Sequence, residues 1–427
     1  MPENQEFIDL RIAVLGCADA GKSTLLGVVT QGEMDNGRGR ARLNLFRHLH
    51  EIQSGRTSSI SLDIVGFDSA GEIITQQTHN VEEILEQSSK LITFIDLAGH
   101  HKYLKTTIFG LTGYKPHFVL LVVAANMGVV GTTREHLGLA LALEVPIFVV
   151  ISKIDLVTAG QLDRTMRQLE QLIKGPGCSR IPVRILSKDD AINTAKNFNT
   201  EQAVMPIFAL SSVTGENLDV LLEFLNVLPA LQSHTEQLQR MQEYAEFRID
   251  EVFNINNVGV VAAGLVLRGT IRENDEMMLG PSVTGDFSPV RVESIHRNKT
   301  PCRIVQAGQA AALAFGDLGE LAVRKGMAVV DSRLMPRSCD RFEAEVYLMY
   351  HTTPYVCKGF QTTVHIGNVC QTAVIESIET KDSSLNANES AKVQFRFLKN
   401  PEYIRQDSRI LFREGRTKGI GHVVHIL

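Results

Sequence analysis

The chain has 427 residues, of which 44% are apolar and 21% charged, with a net charge of −5. That length exceeds one ordinary core, the composition is globular, and the charge excludes a generally basic nucleic-acid binder but not a local basic face. Six scattered cysteines with no CxxC pair exclude a disulfide scaffold. Neither MPENQEF at the N-terminus nor the apolar run FVLLVVAANMGVV (Phe118 to Val130) suits a leader or a membrane span, so a cytoplasmic protein with no membrane attachment is expected.

The first half alternates buried-strand runs with helical patterns. LRIAVLG, KLITFID, HFVLLVVAA, IFVVIS and VMPIFALSS read as strands, with helices such as KSTLLGVVTQG, TREHLGLALAL and ENLDVLLEFLNVL between and after them. Such alternation predicts βαβ units and a mostly parallel sheet. After the polar stretch LPALQSHTEQLQRMQEYAEF the runs become short, glycine-punctuated and strand-like, with a second seam near Pro336. The reading is a multidomain α/β plus all-β chain: a P-loop domain over 1–230, a linker over 231–245, and β-barrel domains over 246–338 and 339–427.

GCADAGKST (Gly16 to Thr24) follows the first strand and precedes a helix. In G-x-x-x-x-G-K-[ST] the loop's backbone N–H groups cradle phosphate oxygens at a helix N-terminus. Asp19, Ala20, Gly21, Lys22, Ser23 and Thr24 are therefore candidate nucleotide-binding residues, with Lys22 on the β- and γ-phosphates and Ser23 on Mg²⁺. KLITFID ends on Asp96, the second carboxylate that a P-loop nucleotidase places near Mg²⁺, and Gly99 can offer its N–H to the γ-phosphate. In ISKIDL, Asp155 can accept both N1–H and N2–H of guanine, a donor pair that adenine lacks. Lys153 covers the ring, while Ser152 replaces the usual asparagine with a shorter bridge. After the last strand, Ser211, Ser212 and Val213 of LSSVTGEN offer backbone N–H groups to guanine O6. A hydroxyl that reports γ-phosphate to Mg²⁺ is sought in EIQSGRTSSIS: Thr57 is the choice, with Ser58 and Ser59 as rivals. His48, His50, His100 and His101 lack the i, i+4 spacing of helical zinc ligands.

With these stretches in order, the chain resembles the translational GTPases of the elongation factor Tu and elongation factor 1-alpha class along nearly its whole length. GEMDNGRGRARLNLFRHLHEIQSGRTSS and SKDD resemble the GTP-binding protein 1 and 2 subfamily, the GTP-binding protein 2 branch most closely. The resemblance implies a GTPase with GTP or GDP and Mg²⁺ bound, and a switch that engages tRNA and the ribosome in elongation or rescue. Its alternative is a GTP-dependent RNA quality-control scaffold with little hydrolysis, acting with RNA-decay or rescue factors. A monomer is expected. By the same resemblance His100 orients the attacking water, Thr57 belongs to the first switch, Asp96 and Gly99 belong to the second, and Asp19 helps hold a monovalent cation. The class usually shields its histidine between two apolar residues, and here those positions hold Ala18 and Arg56. Arg56 is read as a solvated side chain, with a cis arginine finger as the alternative. Family members usually carry a segment ahead of the GTPase domain. With a first strand starting near Leu10, this chain is expected to lack most of it.

Two basic stretches remain. RFLKNPEYIRQDSRILFREGRTKG holds seven Lys or Arg against three Asp or Glu, and GRGRARLNLFR is arginine-rich. Charge alone divides the first evenly between a solvated barrel face and an RNA-backbone contact, and the resemblance favours RNA. The second is either an RNA-facing switch element or a mobile loop.

Overall fold

The computed structural model describes residues 7–198, 203–230, 234–319, 321–350, 355–380, 382–415 and 417–427. The chain forms two compact units, Met1–Leu111 with Lys115–Leu231, and Thr112–Tyr114 with Gln232–Leu427.

The first unit is built on one sheet. Its strands are β1 (Ile8–Gly16), β2 (Ser61–Phe67), β3 (Ile73–Ile74), β4 (Lys90–Asp96), β5 (Phe118–Ala124), β6 (Ile147–Ser152), β7 (Ile181–Arg184) and β8 (Val204–Ala209). They lie in the order β3-β2-β4-β1-β5-β6-β8-β7. The pairings among β4, β1, β5, β6, β8 and β7 are parallel, whereas β2 and β3 extend the β4 edge antiparallel. The burial follows from this topology. Every residue of β5 and β6 is buried, because helices cover both faces of a central parallel strand.

Helices α1 (Lys22–Gln31), α2 (Leu49–Ser54), α3 (Val81–Gln87), α4 (Leu104–Gly113), α5 (Gly131–Ala142), α6 (Ala159–Lys174), α7 (Lys188–Asn197) and α8 (Leu218–Val227) connect the strands. Phe148, Phe198, Phe208 and Phe224 form an aromatic cluster under β6 and β8. Buried Lys90 opens β4 and donates to the carbonyls of Leu225, Asn226 and Leu228, so the strand that ends on Asp96 is fastened to the C-terminus of α8.

The second unit is all-β after helix α9 (His234–Gln242). That helix occupies part of the stretch read as a linker. Glu, Gln, Leu, Arg and Met there are good helix formers, with no Gly or Pro to interrupt them. Residues 231–233 of the stretch lie outside the described residues. An antiparallel eight-stranded sheet runs from Glu246 to Val330, and a closed six-stranded barrel from Arg341 to Ile426. Asn368 donates to the carbonyls of Ile249 and Met327, and Arg405 pairs with fully buried Glu246 at 2.7 Å, tying the barrel to the sheet. Among the described residues, no helix is long and apolar enough to cross a membrane.

Candidate functional site

The C-terminal ends of β1, β4, β6 and β8 open on one side of the sheet, where open α/β sheets bind ligands. The loop after β1 leads into α1, and Lys22 is buried there with its Nζ 3.0 Å from the Cys17 carbonyl. Burial lowers the Lys22 pKa, while Asp96 opposes the shift. Behind this loop, the Gly16 N–H donates to Nδ1 of buried His136 on α5 at 3.1 Å. His136 lies inside a helical run, and its supporting contact left no mark in the sequence pattern.

Three oxygen-bearing side chains converge beside Lys22. Ser23 Oγ donates to Asp96 Oδ2 at 2.5 Å, Thr57 Oγ1 reaches the same oxygen at 3.2 Å, and the two hydroxyls are 2.8 Å apart. Asp96 is 1% exposed, and its Oδ1 has no hydrogen-bond partner among the described residues. Burial pushes the Asp96 pKa up, partly offset by the Lys22 ammonium and the two hydroxyls. An all-oxygen set with one buried, unpartnered carboxylate oxygen fits a hard divalent cation such as Mg²⁺. Of the three hydroxyls considered at sequence level, only Thr57 faces this corner. Ser58 and Ser59 turn to Glu51 instead.

Glu51 was not anticipated. It is fully buried on the six-residue helix α2, whose apolar residues Leu49 and Ile52 are exposed. Its carboxylate accepts from the N–H groups of Arg47, His48, Ser58 and Ser59 and from both serine hydroxyls, at 2.6 to 3.2 Å. Burial alone would raise its pKa, yet these bonds pull it down to about 2. A carboxylate among polar loop residues reads as surface, so only the inverted pattern of α2 could have signalled it.

Gly99 lies against the phosphate loop so closely that a Cβ there would meet the Cys17 carbonyl at 2.7 Å. Next to it, half-buried His100 accepts from Lys102 N–H at 3.2 Å and stacks on exposed His101 with ring centroids 4.4 Å apart. One pocket is lined by Ala18, Asp19, Gly21, Lys22, Ser23, Thr24, Arg42, Gly55, Arg56, Thr57, Gly99 and His100. The positions expected to shield His100 thus do line its pocket, and Arg56 is ion-paired with Asp19 at 3.0 Å. Arg56 is solvated, as expected, with its side chain 54% exposed, and the pair occupies the carboxylate assigned to a monovalent cation.

At the other end, Ser152 Oγ donates to the Ala20 carbonyl at 2.6 Å and Lys153 Nζ to the Asp19 carbonyl at 2.6 Å. The shorter serine still reaches the phosphate loop. Exposed Asp155 accepts from Ser211 Oγ at 2.6 Å, and the same hydroxyl accepts from the N–H groups of Val213 and Thr214. Ser212 accepts from the Asp35 N–H at 3.0 Å.

The two basic stretches divide. In the barrel, Arg396 pairs with Glu376 at 2.6 Å and Arg405 with Glu246, so neither faces outward unpaired. Across the final hairpin Arg413 lies opposite Lys418 and Arg409 opposite His422, while Arg416 lies outside the described residues. In the first unit Arg38, Arg40 and Arg47 are exposed, but Arg42 turns inward to the pocket.

The Elongation factor Tu GTP binding domain family matches residues 9–230, and Elongation factor Tu domain 2 matches residues 259–330. The chain is 57% identical to GTP-binding protein 2 of Homo sapiens over all of its own length and 71% of the relative's. It is 48% identical to GTP-binding protein 1 of Xenopus laevis, over 99% of its length and 64% of the relative's. The fold is similar to the crystal structure of the S. cerevisiae Ski7 GTPase-like domain bound to GTP, with a TM-score of 0.72, 13% identity and 98% of each chain covered.

Proposed function

Because the chain belongs to the elongation factor Tu family of translational GTPases, within it to the relatives named GTP-binding protein 1 and 2, we propose that it is a GTP-switched factor that engages tRNA and the ribosome. The observation that carries this reading is the convergence of Ser23, Thr57 and the half-satisfied Asp96 beside Lys22.

In this reading Lys22 and the N–H groups from Asp19 to Thr24 hold the phosphates. Ser23, Thr57 and Asp96 would hold Mg²⁺, which would neutralise charge on the phosphates. Gly99 N–H meets the γ-phosphate, so Thr57 and Gly99 both lose their ligand when that phosphate departs, and the two switches loosen. Asp155 reads guanine and Ser211 holds its carboxylate in place; of the three N–H groups expected at O6, those of Ser211 and Val213 donate to the Glu216 carbonyl and Ser211 Oγ, which leaves that of Ser212 for the base. His100 orients the attacking water. The catalytic contribution is positioning and charge stabilisation. A monovalent cation at Asp19 requires Arg56 to leave that carboxylate.

The Arg56–Asp19 pair at the pocket favours a second reading, a GTP-dependent RNA quality-control scaffold with slow hydrolysis, because neither Ala18 nor a paired guanidinium forms an apolar shield for His100. One experiment separates the two: multiple-turnover phosphate release with and without ribosomes, alongside tRNA and ribosome binding in GTP and in GDP. The switch reading expects ribosome-stimulated release and GTP-dependent binding, and release that ribosomes do not change would overturn it. His100→Ala is expected to cut stimulated hydrolysis at least tenfold while leaving GTP affinity within about threefold. Lost GTP affinity would show that His100 is misassigned.

A further inference from the structure

Two arginines line the phosphate pocket, and their surroundings differ. Arg56 is neutralised by Asp19. Arg42 has no carboxylate partner among the described residues, and its Nε is buried without a hydrogen bond. Its guanidinium passes between two glycines. A Cβ on Gly39 would lie 2.6 Å from Arg42 Nε, and one on Gly55 would lie 2.6 Å from Nη2. Both glycines are in the left-handed region, at φ 82° and 66°, which glycine adopts without strain. Phe46 flanks the group, its ring centroid 6.0 Å from Cζ. The bare backbone at Gly39 and Gly55 thus leaves room for the guanidinium, and Arg42 lines the same pocket as Lys22.

Two cations lining one pocket, one of them without a carboxylate partner among the described residues, favour an anion there. We propose that Arg42 is a built-in arginine that contacts the nucleotide's phosphate oxygens and stabilises the charge that develops during GTP hydrolysis. This rests on the nucleotide reading given above. As the water oxygen bonds to the terminal phosphorus, the bond to the bridging oxygen breaks. Charge moves onto the departing GDP, and the water's proton passes to the inorganic phosphate. A guanidinium beside those oxygens donates two bonds in fork geometry, which a lysine cannot match. Arg42 precedes His48, the N-cap of α2, in the sequence, and Gly55 brings it to the other end of that helix: it is the C-cap of α2, one residue before Arg56 and two before Thr57. Ordering of the first switch therefore also seats Arg42.

The test compares wild type, Arg42→Ala and Arg42→Gln, the last keeping a polar stem beside Phe46 without the charge. Fluorescent GTP and GDP affinity, single-turnover GTP hydrolysis and binding of GDP–aluminium fluoride are measured on each, with thermal melting to confirm folding. Expected are a loss of hydrolysis of about 10-fold or more, a matching loss of aluminium fluoride affinity, and GDP affinity within about threefold. Hydrolysis by a folded Arg42→Gln at the wild-type rate would overturn the proposal. So would a wild type that binds GTP yet neither hydrolyses it nor takes up GDP–aluminium fluoride. A wild type that binds no GTP would instead overturn the nucleotide reading on which it rests.

Discussion

Glu51 and Asp96 are buried carboxylates that hold neighbouring parts of one loop, Glu51 through Ser58 and Ser59 and Asp96 through Thr57, and their surroundings differ in kind. Glu51 accepts from six donors and its pKa is pulled down to about 2. Asp96 has one oxygen bonded to two hydroxyls and the other without a partner among the described residues, and its pKa is pushed up. A saturated carboxylate holds protein to protein. A half-satisfied one carries a cost of burial that a ligand can repay. The loop is therefore organised by the protein itself around Glu51, whereas the corner around Asp96 keeps an oxygen that the metal of the proposed function would take.

The largest effect follows from removing the unfinished group. Asp96→Asn is expected to lower single-turnover GTP hydrolysis about 100-fold or more and to raise the Mg²⁺ concentration required for GTP binding. Melting of the nucleotide-free protein should be unchanged or higher at neutral pH. The sign follows from the raised pKa: ionised Asp96 weighs against the folded state once pH exceeds its folded value, and the amide removes that burden. A clear loss of melting temperature would show that Asp96 is as structurally committed as Glu51, and the comparison would fail.

The contrast between the two groups also explains what the sequence could reveal. Lys22, Ser23, Asp96, Gly99 and Asp155 stand in spaced motifs at or just beyond strand ends, because nucleotide chemistry fixes residue type and position together. The parallel strands were readable for a similar reason, since burial on both faces leaves continuous apolar runs. Strands β2 and β7 did not announce themselves. SLDIVGF is interrupted by Asp63 and Gly66, and Ile181–Arg184 is a short edge strand with no fully buried residue. Glu51, Arg42 and His136 were equally silent. Each acts through a contact that only the folded loop creates, and each residue type is common on surfaces. For Arg42 the arginine-rich run invited a reading as an RNA-facing switch element or a mobile loop, and the inward turn brings its guanidinium against Gly39 and Gly55, which the sequence does not mark as its neighbours.

The second effect is smaller and opposite in character. Glu51→Gln keeps the shape but loses the charge and presents donors to donors, at a cost of about 2–3 kcal/mol in the stability of the switch loop. The amides of Arg47, His48, Ser58 and Ser59 should lose hydrogen-exchange protection. GTP affinity should fall more than GDP affinity, because only the GTP form uses Thr57. The pH dependence has a fixed sign. With its pKa lowered from 4.5 to about 2, Glu51 contributes fully above pH 4.5, and that contribution is lost as pH falls toward 2. Protection of those four amides should therefore persist at pH 4 in wild type. Protection that is already absent at that pH would mean the six bonds do not hold the loop.

A third buried carboxylate offers the mildest test, and it lies in the other unit. Glu402 receives Arg324 Nη1 on both oxygens at 2.9 and 3.0 Å, and Gln371 Nε2 at 2.6 Å, all from side chains. Burial pushes it up to about 7, against the pull of Arg324 and Gln371. Its donors are fewer than those of Glu51, yet no oxygen is left without a partner, so it should resemble Glu51 in being structural and Asp96 in titrating high. A raised carboxyl favours the folded state while protonated and loses that advantage as pH rises through the folded value. Between pH 5 and 8 the barrel unit of wild type should thus lose about 1–3 kcal/mol, and Glu402→Gln should flatten that slope. Thermal melts across the range measure it. A slope that survives the substitution would place the titrating group elsewhere, leaving donor count alone, rather than burial, as what separates the three carboxylates.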